Sequence, residues 1–132
     1  MSFATIVACA AHEPDKMAGT WTVTLDVWHD YEVGDQVTVT EGSTPNEFYI
    51  LNTTNPAVNN TSVIMIVTVD DVGNVTDITS SEIYDYGVPI VPTDAGGSLV
   101  FSCVGVISLN VEWLTSDLTG TYGEFAFVLT KN

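Results

Sequence analysis

Residues 20–27 read Thr-Trp-Thr-Val-Thr-Leu-Asp-Val and carry the clearest indication of fold class in the sequence. Apolar and polar residues alternate along it, with Trp21, Val23, Leu25 and Val27 between Thr20, Thr22, Thr24 and Asp26. Successive side chains of a β-strand point to opposite faces, so a period of two predicts a strand with one buried face. We therefore expect Trp21, Val23 and Leu25 to face a core.

Similar stretches follow along the rest of the chain. The candidate strands are 36–40, 47–52, 62–70, 74–80, 82–86, 98–107, 108–114 and 122–130. Turn-forming Gly, Asp and Asn residues separate most of them, and no segment of about a dozen residues has apolar residues at helical spacing. The sequence predicts an all-β fold: an antiparallel meander of about eight strands closed into a barrel, with a β-sandwich as the alternative.

Length and charge limit the classes of partner. The 132 residues fit one domain, and the 17 acidic residues are opposed only by Lys16 and Lys131, giving a net charge of −15. Affinity for nucleic acids depends mainly on Lys and Arg that neutralise phosphates. The composition therefore argues against nucleic acid and anionic membrane surfaces as partners.

The two cysteines lie in different sequence surroundings. Cys103 belongs to the apolar run 98–106, which favours a small buried thiol, and a disulfide with Cys9 is compatible with the sequence but not required by it. Ile6-Val7-Ala8-Cys9 resembles a bacterial lipobox, in which the cysteine becomes lipidated. On this interpretation residues 1–15 are an apolar signal or anchor remnant with a polar tether, and residues 16–132 are the barrel domain. The other interpretation is an apolar strand or a tag remnant.

The lipobox-like segment that ends at Cys9 predicts an exported protein. No other stretch approaches the roughly 20 apolar residues that span a bilayer. We expect membrane contact only through a lipid anchor at Cys9, and a location in the periplasm or at the outer membrane or cell surface of a bacterium.

Gly19-Thr20-Trp21 carries a resemblance to a known family. It matches the G-x-W that opens the first strand of lipocalins and other calycins, eight-stranded barrels that hold small apolar ligands. The chain resembles the small lipocalin-like domains of Bacteroidota lipoproteins, some of them described as lipid-binding. The resemblance implies that Lys131 packs across Trp21 as a cation over the indole, where the family usually has arginine. Otherwise Trp21 is a core aromatic and Lys131 a terminal residue.

The predicted function is a non-catalytic binding module for a small apolar ligand or lipid. The expected ligand-contacting residues lie on apolar stripes: Trp21, Val23, Tyr49, Phe101, Trp113 and Phe127. Tyr84 and Tyr86, followed by the proline-containing loop 88–92, predict either a stacking platform or lid at the barrel mouth or an aromatic strand end. The alternative function is a structural or accessory subunit that acts through protein contacts at the cell surface and donates its N-terminal segment to a neighbour.

Motifs for chemistry are not evident. His12 lies in the predicted tether and His29 in a loop, and neither accompanies a nucleophile elbow. The acidic segments 26–32 and 70–77 are interpreted as a solvated loop and a hairpin turn, without a bound metal. We predict no enzymatic activity, no cofactor and no metal site.

Overall fold

The computed structural model describes residues 9–26, 32–51, 63–80, 83–85 and 88–132. Within these residues a short 3-10 helix, Pro14–Lys16, precedes ten strands. The strands are β1 Gly19–Asp26, β2 Gln36–Glu41, β3 Glu47–Leu51, β4 Val63–Val69, β5 Val75–Thr79, β6 Ile83–Asp85, β7 Val88–Asp94, β8 Leu99–Phe101, β9 Val106–Thr115 and β10 Thr121–Lys131. The all-β prediction is confirmed.

The strands form one antiparallel sheet in the order β5-β4-β3-β2-β1-β10-β9-β7-β6, with β8 also paired to β9. β7 and β8 follow one another along β9, because β7 pairs with residues 111–115 and β8 with residues 106–108. β6 follows β5 in the chain and pairs with the start of β7. The ten strands therefore occupy eight positions around a nearly closed, lipocalin-like barrel, as the sequence predicts.

The barrel closes along a seam between β5–β6 and β7–β8. At one end β6 pairs with β7. At the other end Asn74 bridges Leu99, the Val75 amide donates to the Ser98 carbonyl at 3.1 Å, and the Val100 amide donates to the Gly73 carbonyl at 2.8 Å. Between these contacts β5 and β7 lie side by side, and within the described residues no ladder joins them. The seam is thus hydrogen-bonded at its two ends.

Strand β7 differs from the sequence prediction, which made residues 88–92 a loop. Pro89 pairs with Tyr84, and the buried Pro92 pairs with Trp113. Proline cannot donate to a ladder, and it is tolerated in a strand with an incompletely paired edge. The position of β7 at the seam supplies such an edge.

The predicted break between residues 107 and 108 is also wrong. β9 runs without interruption from Val106 to Thr115, with burial alternating at every residue from Val106 to Trp113. The chain instead turns at residues 102–105, where the amides of Val104 and Gly105 both donate to the Phe101 carbonyl. This turn joins β8 to β9.

Alternating burial produces a single hydrophobic core inside the barrel. Trp21, Val23, Ile50, Val67, Ile107 and Leu129 have almost no exposed surface and belong to one cluster. Neighbouring residues on the same strands are more exposed. The period of two therefore selects the inner face of most strands.

A bulge in β1 reverses the expected orientation of Leu25. The β1–β10 register shifts between Val23, which faces Leu129, and Leu25, which faces Val128. Beyond the shift Leu25 is 42% exposed and Asp26 only 7% exposed. One extra residue in a strand moves the following side chains to the other face. The predictions that Leu25 faces the core and that Asp26 lies in a solvated segment are therefore wrong.

Candidate functional site

One end of the barrel is covered by residues Cys9–Met17, here called the N-terminal strap. Cys9 forms a disulfide with Cys103 in the β8–β9 turn, with Cα atoms 5.8 Å apart. The His12 amide donates to the Asp71 carbonyl at 2.7 Å, and the Glu13 amide donates to Ser102 Oγ at 2.9 Å. The segment from residue 10 onward, expected to form a tether, is thus fastened to two turns of the barrel.

The Cys9–Cys103 disulfide, which the sequence left open, is present, and it corrects the other interpretations of the two cysteines. Cys103 is an exposed, disulfide-bonded residue instead of a buried thiol, and Cys9 is 6% exposed. The sulfur of Cys9 is bonded to Cys103, so it is not available for the thioether of a lipid anchor. The predicted lipidation of Cys9 is therefore replaced by a disulfide. Residues 1–8, including most of the lipobox-like segment, lie outside the described residues.

Trp21 and Lys131 meet under the strap. They are direct partners in the β1–β10 ladder, so their side chains share a face. Trp21 Nε1 donates to the Met17 carbonyl at 2.8 Å, and Lys131 Nζ donates to the Lys16 carbonyl. A β-carbon at Gly19 would lie 3.3 Å from Lys131 Cε, so the glycine leaves room for the lysine chain. The G-x-W segment and the terminal lysine therefore fasten the strap to the barrel end.

A small cavity lies beneath the strap. Its volume is about 10 Å³, close to the space that one water molecule needs. It is lined by His12, Pro14, Met17, Glu41, Thr44, Pro45, Glu47 and Phe48. Burial lowers the pKa of the His12 imidazole, and the nearby Glu13 carboxylate partly opposes that shift. His12 is thus a buried residue of the strap end, where the sequence predicted an exposed tether.

The residues predicted to contact a ligand separate into two groups. Trp21, Val23, Trp113 and Phe127 are buried members of the core. Tyr49 lies between the buried Phe48 and Ile50, and Phe101 follows the buried Val100, so both are half-buried on the opposite face. The side chains of Tyr49 and Phe101 therefore do not point into the barrel.

Of the predicted tyrosine platform, only the backbone of Tyr84 is described, in β6. The side chain of Tyr84 and all of Tyr86 lie outside the described residues. The prediction of a stacking platform or lid stays a prediction.

Aromatic rings line the barrel interior away from the strap. Lys131 marks the strap end of β10, and Phe125 lies six residues earlier, roughly 20 Å along the strand. Trp113 and Phe127 are 6% and 5% exposed, and the half-buried Phe125 packs against the same core. We call Trp113, Phe125 and Phe127 the far-end aromatic set. Asp26 opposes Phe127 in the ladder, which places a buried carboxylate beside it.

The carboxylates of two aspartates, Asp70 and Asp117, organise turns of the barrel. The Asp70 carboxylate accepts from the Val72 and Asn74 amides and from Asn74 Nδ2. The Asp117 carboxylate accepts from Thr115 Oγ1, Thr119 Oγ1 and the Thr119 amide, which lowers its pKa to about 2. Within the part of the chain that the structure describes, no three His, Cys, Asp or Glu side chains are placed to hold a metal ion.

Phe125 and His12 were not selected from the sequence. Phe125 had a usable signal, because it lies two residues before Phe127 and a strand places both on one face. His12 had none, because the strap has no periodicity and its burial depends on the long-range disulfide and two turn contacts.

The described part of the chain contains no helix long and apolar enough to cross a membrane. No family model matches the sequence, and neither the curated proteins nor the solved structures include a significant match.

Proposed function

We propose that this protein is a non-catalytic binding module that takes a small apolar molecule or lipid at the barrel end away from the strap. The observation that carries the proposal is the far-end aromatic set. Trp113 and Phe127 face inward at that end, and Phe125 is only half buried beside them. Sites for apolar ligands are concave and rich in aromatic side chains.

Packing limits how deep such a ligand would reach. Trp21 and Val23 are fully buried, and together with Leu129 they fill the barrel toward the strap. Eight-stranded barrels are just wide enough either to be filled by side chains or to hold one small ligand. The proposed ligand therefore contacts the far-end aromatic set instead of Trp21 and Val23.

We further propose that the protein is exported, to the periplasm or the surface of a bacterium. The Cys9–Cys103 disulfide supports this, because disulfides persist in oxidising compartments. The resemblance to lipocalins through Gly19-Thr20-Trp21 supports the ligand class. The place of Lys131 opposite Trp21 is in line with that resemblance.

Titration with cis-parinaric acid, a fluorescent fatty acid, tests the proposal. We expect saturable binding near one molecule per chain that unlabelled fatty acid reverses. Phe125→Ala should weaken binding by at least about tenfold, since burying a phenylalanine ring contributes on the order of 1.5–3 kcal/mol and each 1.4 kcal/mol is about a factor of ten. Phe101→Ala is the matched control, because Phe101 is a half-buried phenylalanine on the outer face. Equal affinity of the two variants, or no saturable binding by the wild type, contradicts the proposal.

Exposed apolar side chains near the seam favour a second candidate, an accessory subunit acting through protein contacts. Val72, Leu99 and Val104 are 47%, 37% and 66% exposed. Val72 and Leu99 directly precede Gly73 and Val100, whose backbones are hydrogen-bonded across the seam. Val104 is next to the disulfide-bonded Cys103. Contiguous exposed apolar patches are typical of protein interfaces. Sedimentation velocity tests this candidate: self-association that Val104→Asp abolishes supports it, and a monomer at all concentrations counts against self-assembly through this patch.

A further inference from the structure

His12 combines burial with an unsatisfied ring nitrogen. The residue is 9% exposed, and its Nδ1 has no hydrogen-bond partner among the described residues. A buried polar atom without a hydrogen-bond partner destabilises the state in which it is buried. The side chain also borders the cavity beneath the strap. The strap is therefore held in a position that suits a neutral imidazole better than a charged one.

The contacts of His12 lie at the middle of the strap. Its amide donates to Asp71 of the β4–β5 turn, and the next amide, that of Glu13, donates to Ser102 of the β8–β9 turn. Toward the N-terminus Cys9 is held covalently, and toward the C-terminus the Met17 carbonyl accepts from Trp21. Residues between these two fixed points can leave the barrel without breaking the disulfide.

Charged groups surround His12 from several elements. Within the strap, Glu13 and Lys16 form an ion pair at 3.4 Å. Glu41 at the end of β2 and Glu47 at the start of β3 line the cavity. Two hydrogen bonds from Ser43 lower the pKa of Glu47, so it stays charged in mild acid.

The remaining charged groups lie on the turns and on β10. Asp71 lies on the β4–β5 turn next to Asp70, and its carboxylate accepts from Asn46 Nδ2 at 3.1 Å. On β10, Lys131 Nζ is held by the Lys16 carbonyl. These carboxylates attract a charged imidazole, but its loss of hydration under the strap is the larger effect.

We propose that the N-terminal strap is an acid-released clasp over the barrel end, with His12 as the residue that senses the pH. In neutral solution the uncharged ring stays buried and the strap is closed. In mild acid the ring takes up a proton, and residues between Cys9 and Met17 detach while the disulfide keeps the segment attached. Detachment uncovers Met17 and Phe48 at the strap end.

The pH at which the closed strap is most stable follows from the linkage between proton binding by His12 and release of the strap. Release returns His12 to water, where its pKa is near 6.5, while burial under the strap lowers that pKa. The stabilisation of the closed strap is therefore complete above about pH 6.5 and decreases as the pH falls below it.

Amide hydrogen exchange on the full, oxidised chain at pH 7.0 and 5.5, corrected for intrinsic rates, tests the clasp. We expect the protection of the His12 and Glu13 amides to fall in acid, by up to about tenfold for each pKa unit between the closed and released states. Protection of core amides such as that of Ile107 should stay constant. His12→Phe should remove the pH dependence, because phenylalanine does not titrate and suits the apolar cavity wall. His29→Gln, which removes the other histidine, should behave as the wild type.

Three results would overturn the clasp: wild-type strap protection that is the same at both pH values, an equal loss in His12→Phe, or an NMR titration of the His12 ring that gives a pKa at or above 6.5. The ring titration uses the wild-type protein, so it decides the question even if the variant does not fold.

Discussion

A β-carbon added at Gly73 would lie 2.2 Å from the carbonyl oxygen of Val100. This contact lies at the strap end of the seam, where the Val100 amide donates to the Gly73 carbonyl at 2.8 Å. Gly73 also has a φ of +99°, which side-chain-bearing residues rarely adopt. The closing of the barrel at the strap end therefore depends on a residue without a side chain.

Replacing Gly73 by alanine should open this end of the seam. We expect Gly73→Ala to lower the free energy of unfolding by about 3 kcal/mol, because both the clash and the backbone strain act. Gly96→Ala is the control, since Gly96 has a φ of +107° but nothing within 4 Å of an added β-carbon. It should cost only about 1 kcal/mol. Urea unfolding measures both, and equal losses would show that the approach to Val100 does not matter.

Removing the disulfide should destabilise the protein. Cys9 and Cys103 are 94 residues apart, so the bond strongly restricts the unfolded chain. We expect the Cys9→Ser, Cys103→Ser double variant to lose about 2–5 kcal/mol in denaturant unfolding. The wild type treated with reductant should match it. Intact-mass analysis of the wild type provides the check, since a lipid-modified Cys9 would contradict the disulfide.

The β1 bulge is tested by making one substitution at two leucines. Leu129 is fully buried, so Leu129→Ala should cost about 2–5 kcal/mol. Leu25 is 42% exposed, and Leu25→Ala should cost about 0.5 kcal/mol. Thermal or urea unfolding compares them. Similar large losses would place Leu25 in the core, as uninterrupted alternation predicts.

Asp117 should give the β9–β10 turn a distinct acid sensitivity. Hydrogen bonds from Thr115 and Thr119 lower its pKa from 3.8 to about 2, so the charged form is favoured in the folded state. Its stabilising effect is therefore complete above the unfolded pKa and disappears as the pH falls toward 2. Asp117→Asn should lower the free energy of unfolding at pH 6. The difference in unfolding free energy between the variant and the wild type, measured in urea, should shrink between pH 4 and about 2.

The control for this titration is Glu124→Gln, which removes one negative charge from an exposed position on β10. At pH 6 it should lower the free energy of unfolding less than Asp117→Asn does, because substitutions at exposed positions usually change stability by only about 0.5 kcal/mol. If the difference in unfolding free energy between the wild type and Asp117→Asn stayed constant across the acid range, the carboxylate charge would not be what stabilises the turn.

Local alternation predicted the fold class because most strands bury every second residue. Residues such as Trp21, Val23 and Trp113 reached the core as their sequence patterns indicate. The same parity, applied to β3, would have separated Tyr49 from Phe48 and Ile50 and excluded it from the interior. That error came from selecting aromatic residues by type instead of by face.

Features set by distant contacts could not be predicted. β7 forms despite Pro89 and Pro92 because it pairs with β9 along one edge, while its other edge lies at the incompletely paired seam. The burial of His12 follows from contacts with Asp71 and Ser102, which are far away in sequence. The bulge that turns Leu25 outward likewise depends on the register with β10.

The proposed binding of an apolar ligand at the far-end aromatic set is tested most directly by locating the bound molecule. Titration of the ¹⁵N-labelled protein with a medium-chain fatty acid, followed by amide chemical shifts, locates the site. We predict saturable shifts at Trp113, Phe125 and Phe127 and little change at Glu13, Met17 and Lys131 beneath the strap. No saturable shift, or shifts confined to the strap end, would contradict the proposed binding site.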